Sequence, residues 1–355
     1  MRSVLFCPPR AARRAGAGQF RQAKLRFASR VAIAMAMTAA LAMAADAAAE
    51  DATRWLERSA QAARTLNYAG TVVFQHNGHV ETSRLAHMVD NGVEQEKLVS
   101  LDGPAREVIR SSSDVRTYFP DAKVVRVEPR TFRNVFPSLS PEQLRSLTQN
   151  YEARPVVSER IAGHWTQVMV FEPKDGLRYG HKFWADAMTG LLLKARLIDD
   201  RGEVVEQFAF TDVAINEKVD RDMVKPSWAN APADWQVKQG SFGEMAPRET
   251  GWTVGRLPAG FQKVMEGHRT LRGKREPVAH LVYSDGLVAI SVFVEPLAPG
   301  PVVTGVSQHG GLSIYVARKD DFLVTVLGEA PPATVRQMAQ SVARRAPSES
   351  AQNSK

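Results

Sequence analysis

Cysteine is nearly absent: the 355 residues hold one, Cys7. A lone cysteine forms no internal disulfide, and without Cys7 the chain has no thiol chemistry. The preceding Val4-Leu5-Phe6 does not form a lipoprotein cleavage box, which argues against a lipid anchor. Acid is absent from residues 1–45, which carry eight Lys or Arg. Long apolar runs are also lacking. Val31–Ala45 spans fifteen residues, short of the ~20 that cross a bilayer, and it is rich in Ala and Met. A basic start, this run and the small residues Ala42-Met43-Ala44 and Ala45-Asp46-Ala47 predict a secretory signal peptide over 1–47. The whole chain carries a formal charge of +8, and residues 1–45 contribute all of it. Residues 46–355 hold 38 bases and 38 acids, so charge gives no case for nucleic-acid binding.

Catalytic motifs are missing too. There is no His-Glu-x-x-His and no Gly-x-Ser-x-Gly. Gly305-Val306-Ser307-Gln308-His309 ends on His where Gly is needed, and no strand-to-helix elbow follows. Gly267 to Gly273-Lys274 is one residue too long for a phosphate loop, with Arg275 where Ser or Thr belongs. His76 and His79 flank a turn and could ligate a metal, although paired exposed imidazoles are more often solvated turn residues. Asp199-Asp200 reads as turn chemistry rather than a carboxylate pair. No enzyme and no cofactor is expected.

Periodicity is what the chain has. Over Asp175–Asn216 three segments alternate with period two, separated by Ala187-Met188-Thr189-Gly190 and Asp199-Asp200-Arg201-Gly202, which predicts three strands and two tight turns. Both faces carry apolar residues, so the sheet is covered on both sides or curls around something apolar. Before it, Thr53–Leu66 reads as a helix, and Tyr68–His76 with His79–Met88 as a hairpin about Asn77-Gly78. Strands follow over Gln95–Leu101, Arg106–Ser111, Val115–Phe119 and Lys123–Glu128, then a helix from Ser140-Pro141 and strands Val156–Ile161 and Trp165–Phe171. The expected class is α+β, a large antiparallel sheet with helices on one face. Pro226–Arg248 is rich in Pro, Ala, Gly and Ser and reads as a linker; beyond Trp252 come hairpins Ala279–Tyr283/Leu287–Glu295 and Ser313–Val316/Phe322–Leu327, and a helix after Pro331-Pro332. Expected boundaries are 48–228, a linker over 229–250, 251–346 and a disordered tail over 347–355.

Several ordered motifs together resemble the sigma-E factor regulatory proteins of the RseB/MucB family. They are Leu101-Asp102-Gly103-Pro104 with Arg106-Glu107-Val108, Asp175-Gly176 through Gly202 to Phe208, and Trp252 with Leu257-Pro258-Ala259-Gly260-Phe261. Tyr283-Ser284-Asp285-Gly286-Leu287 and Gly328-Glu329-Ala330-Pro331-Pro332 complete the set. The resemblance covers nearly all of 53–343. It implies a half-barrel like those of LolA and LolB, with helices on its concave face, plus a small C-terminal α/β domain. It also implies a periplasmic chain that binds the periplasmic part of a RseA/MucA-like anti-sigma factor, delays its proteolysis, and is released by a lipid or lipopolysaccharide-like signal.

Lipid carriage is the competing reading. Phe74, Tyr118, Phe119, Phe132, Phe136, Leu139, Leu144, Tyr151, Phe183 and Phe210 would line the concave surface, or serve as ordinary core. The second domain favours a protein-binding regulator. Its expected exposed contacts are Tyr283, Asp285 and Arg318 at hairpin ends. Oligomeric state is left open, a homo-oligomer included.

Overall fold

The computed structural model describes residues 51–76, 78–129, 141–217, 219–228, 234–239, 246–247, 249–270 and 276–345. The leader, the tail, Asn77, Phe132, Phe136, Leu139, Ser140, Gly273 and Lys274 lie outside them.

Helix α1 (51–65) places Ala52, Leu56 and Ala60 along one stripe, buried to 2% exposure or less. It ends where Asn67 turns away, its side chain accepting from the Val89 amide at 2.8 Å. Six strands follow: β1 (Tyr68–His76), β2 (His79–Asp90), β3 (Val93–Ser100), β4 (Glu107–Arg110), β5 (Asp114–Phe119) and β6 (Val124–Pro129). After α2 (Pro141–Asn150) come β7 (Tyr151–Ile161), β8 (His164–Pro173), β9 (Gly180–Asp186), β10 (Leu192–Ile198) and β11 (Val204–Ile215). A short α3 (Arg221–Val224) is capped by Asp220, and β12 (Gln236–Gln239) closes the series.

These strands form one open sheet in the order β12-β6-β5-β4-β3-β2-β1-β11-β10-β9-β8-β7. Every pairing is antiparallel except β12 with β6. The expected three-strand unit is therefore β9-β10-β11, and β11 closes onto β1.

Register decides what each face carries, since directly opposed residues share a face. Phe183, Ala195, Phe208 and Phe74 oppose one another across β9, β10, β11 and β1. This row lies on the side that α1 covers, where Leu56, Phe171, Phe183 and Leu192 share a core. A second core joins Ala62 and Ala63 to Tyr68, Leu85, Leu191, Leu193 and Phe210. The consecutive leucines 191–193 all fall to 0% exposure because a register shift between Leu192 and Lys194 disturbs the strict alternation. On the opposite face Trp184 is fully buried. Lys182, Lys194 and Arg196 lie over its ring at 4.5, 4.7 and 5.5 Å, and its Nε1 donates to Glu159 at 3.0 Å. Basic side chains thus roof an aromatic whose other side is sheet, which explains the apolar residues on both faces.

The second sheet is smaller. It comprises β13 (Ala246–Pro247), β15 (Gln262–Arg269), β16 (Val278–Ser284), β17 (Ala289–Pro296), β18 (Gly305–His309), β19 (Leu312–Lys319) and β20 (Phe322–Gly328), while β14 (Trp252–Val254) pairs with β21 (Val342–Arg344). Helix α4 (Pro332–Gln340) packs Val335 and Met338 against Leu281, Ile290, Val292, Val324 and Val326. The phosphate-loop look-alike begins inside β15, and the serine look-alike is the exposed strand β18.

Two expectations need correction. Tyr283 and Asp285 were expected at an exposed hairpin end, yet they are 2% and 7% exposed. Tyr283 alternates with Leu281 on the core side of β16, and its hydroxyl accepts from the Val254 amide at 3.2 Å. The segment expected as linker also contains strands, since Gln236–Gln239 extends the large sheet and Ala246–Pro247 joins the small one.

Candidate functional site

The side chains with the most unusual surroundings lie where the two sheets meet. Arg178 stands between Leu177 and Tyr179, just before β9, and only 1% of its side chain is exposed. Its Nε donates to Asp285 Oδ2 at 3.0 Å, and the Asp285 side chain is 0% exposed. Its remaining nitrogens reach Asp175 and the Ala259 carbonyl, and the guanidinium lies 5.4 Å from the Phe261 ring centre. The other oxygen of Asp285 accepts from the Leu287 and Val288 amides, both at 3.0 Å. Burial pulls the Arg178 pKa down, but Asp285 and Asp175 outweigh it and hold the guanidinium above its ordinary value. Such a pair needs further hydrogen bonds to offset desolvation, and here each guanidinium nitrogen and both Asp285 oxygens are engaged.

Neighbouring contacts continue the seam. Thr334 Oγ1 donates to the Leu177 carbonyl at 2.8 Å, and Gln308 donates to the Tyr179 hydroxyl at 3.1 Å. Leu287 packs on the α1 core of the large sheet. Beneath, Tyr151 and His181 meet edge-on with ring centres 5.5 Å apart. Burial lowers the His181 pKa to about 4 despite Asp285 nearby, and burial first, then Asp285, raises that of Tyr151.

At the other end of the same seam His76, Glu206 and Glu329 converge. His76 and Glu206 oppose each other on β1 and β11, with Nδ1 3.6 Å from a carboxylate oxygen. Glu329, from the β20–α4 loop, is 4.0 Å from the same nitrogen. Burial, and then the like charge of Glu329, raises the Glu206 pKa to about 7. His79 opposes His76 on β2, but the three-way group is made with the acids.

A groove of about 600 Å³ runs beside the seam, bordered by Arg154, Glu172, Asp175, Arg178, Lys182 and Asp199 among others. Val156, Val170, Phe171 and Ile198 line it together with these charged groups. Of the ten proposed lining residues, Tyr118, Tyr151, Phe183 and Phe210 are 2–4% exposed and already covered by protein. Leu144 packs partly against the α1 core, Phe119 lies 5.8 Å from Arg126, and Phe74 is 36% exposed. Phe132, Phe136 and Leu139 lie outside the described residues. Arg318 is exposed, its Nε donating to the Asp320 carbonyl at 3.3 Å.

Arg178 escaped the sequence reading because a single Arg beside Asp175-Gly176 looks like turn solvation. The usable signal was its place between Leu177 and Tyr179, at the start of a segment apolar on both faces. Four of the five motif stretches meet at this seam: Asp175 onward, Leu257–Phe261, Tyr283–Leu287 and Gly328–Pro332.

Comparison with known proteins gives the chain's family. Residues 51–228 match the MucB/RseB N-terminal domain and residues 246–343 the MucB/RseB C-terminal domain. The chain belongs to the MucB/RseB family. It is 32% identical over 307 residues to the sigma factor AlgU regulatory protein MucB of Pseudomonas aeruginosa, covering 83% of this chain and 91% of that one. With the sigma-E factor regulatory protein RseB of Escherichia coli it shares 27% over 308 residues, 86% of this chain and 95% of that one. A crystal structure of MucB in complex with MucA(peri) is similar over 83% of this chain and 99% of that one, at 30% identity and a TM-score of 0.66.

Proposed function

We propose that this chain is a periplasmic, non-enzymatic regulator that binds the periplasmic part of a membrane-spanning anti-sigma factor and shields it from proteolysis. The observation that carries the reading is the seam, where Asp175, Ala259 and Asp285, from three of the motif stretches, meet at the buried Arg178. The relation to a MucB solved in complex with MucA(peri), at 30% identity over 83% of the chain, supports it. A partner segment hidden from a protease must be covered along an extended length, and two sheets locked together offer more surface than either alone. In this reading residues 1–47 are the removed leader, 48–228 and 251–346 the two domains and 229–250 their connection. Arg318 supplies a rim charge to the partner, while Tyr283 and Asp285 act by shaping the small domain beneath it.

Lipid-triggered release is the finer part of the proposal, and the half-exposed Phe74, in the row with Phe208 and Phe183, favours a weak acyl contact there. The test is calorimetric titration of the anti-sigma periplasmic segment into the mature chain, paired with a timed protease digest of that segment. Saturable binding with slowed cleavage is expected. Binding without any slowing would remove the shielding role, and no binding would remove the regulator reading.

A further inference from the structure

The group at the open end of the seam has the donors of a metal site. His76 and Glu206 sit on adjacent strands and the same face because their register opposes them directly. Glu329 arrives from the small sheet's β20–α4 loop, so the third donor comes from the other domain. The ligand atoms of the three residues all lie within 4.8 Å of one another, with His76 Nδ1 3.6 Å from Glu206 and 4.0 Å from Glu329. Tetrahedral ligands ~2.0–2.1 Å from a zinc ion are about 3.3 Å from each other, so small rotations of three side chains would close the site. Their side chains are 32%, 32% and 45% exposed, which leaves an approach for an ion and room for a water as fourth ligand.

We infer that His76, Glu206 and Glu329 form a site for a divalent transition-metal cation of the Zn²⁺ type, which clips the small domain to the large sheet. Imidazole nitrogen with carboxylate oxygens suits such an ion better than Mg²⁺ or Ca²⁺, which prefer all-oxygen shells. A bound cation would also lie between two carboxylates that otherwise face each other. Among the described residues the other His–carboxylate contact, His164 with Asp186 at 3.3 Å, is not joined by a third donor. The other oxygen of Asp186 holds its turn, accepting from the Met188 and Thr189 amides and the Thr189 hydroxyl.

The test is calorimetric titration of Zn²⁺, with Mg²⁺ in parallel, into the chelator-treated full mature chain. Co²⁺ absorption serves as a readout of coordination. One Zn²⁺ per chain, no Mg²⁺ heat, and at least tenfold weaker Zn²⁺ binding in His76→Ala and in Glu329→Gln are expected, with His164→Ala unchanged. Glu329→Gln alters a half-exposed loop residue, so it tests the site even if His76→Ala fails to fold. Zn²⁺ affinity unchanged in Glu329→Gln, or no Zn²⁺ binding at all, would overturn the inference.

Discussion

Among the described residues, two charged contacts tie the small sheet to the large one, and they are built on opposite plans. Arg178–Asp285 is sealed, with a cation matched to acids and each oxygen of Asp285 used. His76–Glu206–Glu329 is half-exposed and gathers two acids about one imidazole. The first is closed to solvent and matched in charge. The second depends on what occupies it. Under the proposed function, one seam would combine a permanent pin with a conditional clip.

The contrast breaks most sharply at the pin. Asp285→Ala leaves the Arg178 guanidinium with less compensation and frees two turn amides. A loss of about 3–5 kcal/mol is expected in urea denaturation, as for other buried pairs with one partner removed. Acid should act on the same side of the seam. His181 titrates near 4 when folded against an ordinary 6.5. The unfolded state therefore takes its proton first, so the contribution is complete above about 6.5 and is lost as pH falls toward 4. Roughly 1–3 kcal/mol should disappear over that interval in wild type, and less in His181→Phe. Thr334→Val removes one donor to the Leu177 carbonyl and should cost about 1 kcal/mol, read from the same denaturation curves. Smallest is the clip without metal: Glu329→Gln should move stability by no more than about 0.5 kcal/mol.

Much of this architecture was legible in the residues. Alternation located β9, β10 and β11, and Asn77-Gly78 marked the hairpin whose strands pair as β1 and β2. Neither β12 nor β15 was expected. Gln236–Gln239 is exposed throughout and is held by a neighbouring strand rather than by an apolar face. In β15, Gln262-Lys263-Val264-Met265 is exposed along its length, so it carries no inward-facing period. The seam was legible only as motifs. Tyr283 and Asp285 stood out, but turn chemistry suggested an exposed end, because a sequence does not reveal that Arg178, 107 positions earlier, comes to meet Asp285. The acids around His76 were hidden for the same reason. Glu206 reaches it through strand register and Glu329 through domain packing, and neither leaves a local pattern.

The central claim is that the partner is held by two domains fixed across this seam. It is tested most directly by titrating the anti-sigma periplasmic segment into wild type and Asp285→Ala, at a temperature where circular dichroism shows both folded. At least tenfold weaker binding by the variant is predicted. Equal affinity with the buried pair broken would contradict it.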